Sequence, residues 1–181
     1  IAYSSDASNI VTNDNNAARD VFYYDRVTGD TLRVSLADNS FSLAGNNTSD
    51  HPFISGNAGY VAFRSTASNL VAADGNNASD IFVRVISSGR TFRVSVATGG
   101  VEADDDSYAP TISDTGRFVA FGSSATNLDA ADGDALRDIF VHDRTTGATT
   151  LVSVATSGVK GDDDSYTPFI SGNGTFVAFA S

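Results

Sequence analysis

Val61-Ala62-Phe63-Arg64-Ser65-Thr66-Ala67-Ser68-Asn69 is preceded by Ile1-Ala2-Tyr3-Ser4-Ser5-Asp6-Ala7-Ser8-Asn9 and followed by Val119-Ala120-Phe121-Gly122-Ser123-Ser124-Ala125-Thr126-Asn127. The three Asn that close these segments are 60 and 58 residues apart. Pro52, Pro110 and Pro168 recur at 58 both times, so the two extra residues of the first copy lie between Ser35 and Ser49, in a loop. The chain closes on Val177-Ala178-Phe179-Ala180-Ser181, which repeats its opening. Self-similarity at a fixed period signals a repeat architecture. The units fall at residues 1–60, 61–118 and 119–176, with 177–181 starting a fourth copy.

Within a unit the pattern predicts four strands. In the third copy they are Pro110 to Ser113, Arg117 to Phe121, Asp138 to Asp143 and Thr149 to Val154. β-Branched and aromatic residues fill these runs, and Gly, Asn and Asp fill the gaps. No long stretch keeps a 3.6-residue apolar period, so the fold class is all-β. Phe-Val-Ala-Phe and Ile-Phe-Val are apolar at successive positions, which requires cover on both faces of the sheet. Four-stranded sheets stacked radially, as β-propeller blades, satisfy this. A β-solenoid is the alternative, although its coils are usually shorter. Three blades do not close a ring, for which four to eight are usual. The expectation is a segment of a longer array, with two chains giving six blades as the alternative; the repeated strand at 177–181 favours the first.

The 181 residues fit one globular domain with 41% hydrophobic content, and no run approaches the roughly 18 apolar residues of a spanning helix. The absence of Met predicts either a removed leader or an internal piece of a longer protein. The absence of Cys rules out disulfides, thiolate zinc sites and thiol catalysis. Net charge is -11, from 22 acids against 11 Lys and Arg; Glu102 is the sole Glu and Lys160 the sole Lys. Such a chain repels nucleic acid and anionic membranes, and its natural small partners are cations.

Pro110-Thr111-Ile112-Ser113-Asp114-Thr115-Gly116-Arg117-Phe118-Val119-Ala120-Phe121 resembles the P-x-W-S-P-D-G-x-x-I-A-F signature of TolB-like (WD-repeat-like) β-propeller repeats. Asp138-Ile139-Phe140-Val141-His142-Asp143-Arg144-Thr145-Thr146-Gly147 resembles their D-I-Y-V-x-D-x-x-T-G. The chain departs from that family in having Phe53, Thr111 and Phe169 where Trp is usual, and in blades longer than the roughly forty-residue norm. The resemblance implies an extracytoplasmic (periplasmic or secreted) bacterial binding or scaffold module without a catalytic residue of its own. Its alternatives are the non-catalytic propeller of a larger peptidase-like hydrolase, or a glycan-binding lectin. Partners would be a protein or a glycan, with further blades supplied by the same chain or a homodimer.

The surplus length sits in two acidic loops, where function is to be sought. The first reads D-x-[ND]-x-x-x-D in every copy: Asp14, Asn16 and Asp20; Asp74, Asn76 and Asp80; Asp132, Asp134 and Asp138. Oxygen ligands at this spacing begin a Ca²⁺ loop, although the Gly at six and the acid at twelve of an EF-hand are missing. Asp and Asn also cap turns through backbone amides, and Asp20, Asp80 and Asp138 stand where such a cap is needed. The third loop, with three carboxylates, is the best Ca²⁺ candidate. Asn9, Asn69 and Asn127 either contribute an oxygen or pin the loop. The second loop holds Asp104-Asp105-Asp106-Ser107-Tyr108 and Asp162-Asp163-Asp164-Ser165-Tyr166, replaced in the first copy by Asn46-Asn47-Thr48-Ser49-Asp50. It reads as a solvated surface or a cation site. Tyr108 and Tyr166 either pack that loop down or form a ligand rim. His51 and His142 fall at non-equivalent positions without a nucleophile motif, so no triad is expected. Acids repeated in every copy read as architecture, because an active site usually breaks the symmetry. The chain is therefore predicted to be non-enzymatic.

Overall fold

A computed structural model describes residues 1–181. It contains thirteen strands and no helix. β1 (Ala2–Ser5), β2 (Asp20–Tyr24) and β3 (Thr31–Arg33) form a three-stranded first sheet. β4 (Ser49–Ile54), β5 (Tyr60–Ser65), β6 (Asp80–Val85) and β7 (Arg90–Arg93) form the second, and β8 (Ser107–Ile112), β9 (Phe118–Ser123), β10 (Asp138–Asp143) and β11 (Ala148–Leu151) the third. β12 (Tyr166–Ile170) pairs with β13 (Val177–Ala180) alone. Every pairing is antiparallel between consecutive strands. The complete sheets thus run from Ser49 to Arg93 and from Ser107 to Leu151, a frame shifted along the chain from the sequence units.

The continuous apolar runs are explained by neighbours on both sides. On β5, Val61, Ala62 and Phe63 are all fully buried. Val61 and Phe63 join Val21, Val34 and Phe82 in a core between the first and second sheets. Ala62 joins Ile81, Val83, Ile112, Val119 and Phe121 in a core between the second and third. Successive residues face opposite sides of a strand, so a sheet with two neighbours needs no polar alternation. Phe63 opposes Phe82 and Phe121 opposes Phe140 across the central strand pairs, with rings stacked at 5.8 and 6.0 Å.

The first strand of each complete sheet is longer than the sequence predicts, and its Pro explains why. β4, β8 and β12 each carry a register shift that brackets Pro52, Pro110 or Pro168. The residue before each Pro has positive φ: His51 at 49°, Ala109 at 46° and Thr167 at 49°. Pro cannot donate to a ladder, so it stands where a bulge interrupts pairing and the strand continues to both sides. The last strand is shorter than expected, ending at Leu151.

Adjacent sheets are tied at one end by a repeated backbone bond, in which Ser49, Ser107 and Ser165 donate to the carbonyls of Arg19, Ser79 and Arg137 at 2.8, 2.7 and 2.6 Å. The acidic loops lie at this end. At the opposite end Asp114 N–H donates to Gly172 O, and Asp114 O accepts from Asn57 N–H.

Candidate functional site

The Asp that opens each third strand has one job throughout. Asp20, Asp80 and Asp138 are buried, and each accepts a short hydrogen bond from Ser35, Ser95 or Ser153. Each Ser Oγ in turn accepts from the N–H of the next residue along, Val21, Ile81 or Ile139, at 3.0 to 3.1 Å. Burial pushes the Asp20 and Asp80 carboxyls above the usual carboxylate range.

The rest of each D-x-[ND]-x-x-x-D loop closes around a cationic side chain. Arg33 meets Asp14 at 3.2 Å and Asp20 at 3.6 Å. Arg93 meets Asp74 at 3.2 Å, Asp80 at 3.3 Å and Glu102 at 2.6 Å. Lys160 meets Asp138 at 2.6 Å, Asp134 at 2.8 Å and Asp132 at 3.5 Å. Arg33 and Arg93 share one repeat position, where the third copy has Leu151; Lys160 instead aligns with Ala44 and Glu102. The change is coupled to a second one. Asn16 and Asn76 donate to Asp20 and Asp80 and to the carbonyls of Gly45 and Ala103. Asp134 stands in their place and has no donor, and the Lys160 ammonium supplies the missing protons. The carboxylates of Asp132, Asp134 and Asp138 lie within 4.8 Å of one another, a group able to hold a metal ion. Burial, followed by the charge of Asp138, pushes the Asp132 carboxyl up. These three cations are the functional residues that the sequence reading missed; the exchange of cationic positions between copies was the available signal.

The upstream Asn residues pin the neighbouring loop. Asn69 donates to Ala44 O and accepts from Asn46 N–H, and Asn127 makes the same pair with Glu102 and Asp104. In the Asp triplets, Asp105 and Asp163 accept from the next backbone N–H at 2.7 and 2.8 Å, a role Asn47 fills without charge in the first copy. Asp106 and Asp164 accept from Ser79 N–H and Arg137 N–H across the sheet boundary.

Tyr108 and Tyr166 come together on one residue. Their rings flank the Arg137 guanidinium at 3.9 and 5.1 Å, and their hydroxyls donate to Asp106 and Asp164. The equivalent place one sheet earlier is different: Asp50 there takes a two-pronged salt bridge from Arg64 at 2.9 Å, with His51 on the same carboxylate. Burial raises the Asp50 carboxyl, but the bonds from Arg64 and His51 outweigh it and hold the group low. His142 lies near the far end of the inner strand β10, buried and bonded to Thr149 Oγ1 at 2.8 Å. Neither histidine meets a serine hydroxyl. A cavity of about 300 Å³ beside the first acidic loop is lined in part by Asn13, Arg33, Leu32, Leu36, Phe41 and Arg84.

Known structures share this fold. A putative TolB from Agrobacterium tumefaciens superposes with a TM-score of 0.56 at 16% identity over 98% of the chain. TolB from Acinetobacter baumannii does so at 0.50 and 15% over 88%, and the tricorn protease at 0.53 and 14% over 91%. The fold is that of a TolB-like β-propeller. The chain spans 48%, 31% and 13% of those three proteins. No protein-family model and no curated protein sequence matches it. Its propeller sheets do not close into a ring, and β12 with β13 is the start of a further blade. The tied end of the propeller, where first strands begin and acidic loops turn, is one surface on which the copies differ.

Proposed function

We propose that the chain is a run of propeller blades that serves as a binding or scaffold surface outside the cytoplasm and performs no catalysis. The observation that carries this is the difference between copies at the tied end. The Tyr108, Arg137 and Tyr166 stack replaces the Asp50 and Arg64 ion pair there, while the buried Asp and Ser pairs are repeated in all three copies. Tyr and Arg supply rigid contact area and directional hydrogen bonds, which favour recognition of a protein or glycan. His51 and His142 have partners within the chain and meet no serine hydroxyl, which supports a non-catalytic role. The extracytoplasmic placement rests on the TolB-like resemblance.

The test is binding on glycan and peptide arrays by the chain and by its Arg137→Ala and Tyr166→Ala variants, alongside chromogenic ester, peptide and glycoside substrates. Binding lost in both variants is expected, with no turnover. Turnover abolished by substitution of His51 or of an Asp in the loops would overturn the proposal.

The likeness to the tricorn protease favours a second reading, in which these blades are the non-catalytic propeller of a larger hydrolase. That reading requires a hydrolase domain with its own nucleophile elsewhere in the same open reading frame. Tyr108 and Tyr166 clasp one arginine instead of lining two equivalent pockets, an arrangement that gives less support to a lectin.

A further inference from the structure

We propose that the Asp132, Asp134 and Asp138 loop is an exchangeable cation site, in which the Lys160 ammonium and a hard divalent cation such as Ca²⁺ compete for the same three carboxylates. Its three acids face a single positive charge, as Asp74, Asp80 and Glu102 do around Arg93, so the ammonium leaves two negative charges uncompensated where a divalent ion would leave one. One feature singles out this loop among the three copies: the Asp132 side chain is fully buried, and neither of its carboxylate oxygens accepts a hydrogen bond. Lys160 approaches it only to 3.5 Å, and the 2.6 Å contact to Asp138 Oδ2 is not aligned as a hydrogen bond. Buried carboxylate oxygens without a donor are costly unless a cation lies against them. Both oxygens of Asp132, with Oδ2 of Asp138 and Oδ1 of Asp134, give four hard ligands, and water completes the six to eight that Ca²⁺ takes.

The way Lys160 is anchored makes exchange feasible here and not in the other copies. Arg33 and Arg93 close their strands, β3 and β7, so the backbone that carries them is held in the ladder. Lys160 sits beyond the strands, held to Val154 by one isolated bridge, on a four-carbon stem that can swing into solvent without moving the backbone.

Lys160 is the sole lysine, which gives a direct readout on the unaltered chain. Acetylation by acetic anhydride, followed by mass spectrometry, compares Lys160 with the N-terminal amine as an internal reference. Lys160 is expected to react several-fold faster in about 5 mM CaCl₂, above the 10⁻⁴ to 10⁻³ M dissociation constants of extracellular Ca²⁺ modules, with the N-terminus unchanged. Calorimetric titration of Lys160→Met with CaCl₂ should show one site, at least tenfold tighter than in the parent chain. Adding Asp132→Asn should remove it. Acetylation indifferent to calcium, or a folded Lys160→Met chain with no uptake sensitive to Asp132→Asn, overturns the proposal. Should Lys160→Met fail to fold, the acetylation result alone decides it.

Discussion

His142 illustrates how a repeat position changes its chemistry while keeping its place. It aligns with Arg84, which reaches into the preceding sheet and donates to the carbonyls of Leu36, Ala37 and Ser40. His142 makes a shorter reach, through Thr149 to Val96 O and Thr98. Burial, with Arg144 nearby, pulls its pKa down to about 4. A histidine with a depressed native pKa takes up its proton first in the unfolded chain. Its contribution is therefore present above about pH 6.5 and is lost as pH falls toward about 4. Denaturant midpoints at pH 7 and pH 4.5 should differ by on the order of 2 kcal/mol, and His142→Gln should flatten that slope. The Asp and Ser pairs give a second test. Ser153→Ala removes the donor to Oδ1 of buried Asp138 and the acceptor of the Ile139 N–H, so a loss of about 1–3 kcal/mol is expected in urea unfolding. Ser35→Ala and Ser95→Ala should behave alike, because the three pairs share one geometry.

Among the elements, the middle strand pair carries each sheet. Phe121 on β9 stacks on Phe140 of β10 and lies in the core shared with the second sheet, with no exposed surface. Phe121→Ala should cost about 3–5 kcal/mol, read from the equilibrium unfolding midpoint. The equivalent pair in the first sheet, Tyr3 and Phe22, stacks at 5.6 Å, but Tyr3 is only half-buried. Tyr3→Ala should cost about 1 kcal/mol. Equal losses at the two positions would contradict the view that inter-sheet burial, and not the ring pair itself, supplies the stability. The first strands show a different element-level rule. Their prolines read in sequence as strand starts, yet the structure uses them at bulges, because pairing resumes on both sides of the missing N–H.

For the whole molecule, protection is expected to follow sheet neighbours. The second and third sheets are covered by others, whereas Phe169 and Phe176 next to the unfinished fourth sheet are 57% and 72% exposed. Native-state hydrogen exchange should protect amides of β5, β6, β9 and β10 most and those of β12 and β13 least. Uniform protection across the four sheets would argue against a stability built from nearest-neighbour interfaces.

Much of this was readable from residue order alone. The period of the Asn and Pro landmarks set the repeat, and consecutive apolar residues on β5 and β6 demanded sheets covered on both faces. Asp20, Asp80 and Asp138 read in sequence as caps on backbone amides or as cation ligands, whereas the structure sets each against a serine hydroxyl, which itself takes the backbone N–H, and a cationic side chain. The counter-ions did not follow, since Arg33 and Lys160 lie far along the chain from the acids they neutralise and occupy different repeat positions. Only the folded arrangement brings the end of a fourth strand, or the loop beyond it, against the loop before the third. The same holds for Tyr108 and Tyr166, 58 residues apart in sequence and joined by Arg137 between them. Periodicity is local and survives in the sequence, whereas charge pairing depends on distance in space, which the packing of one sheet on the next decides.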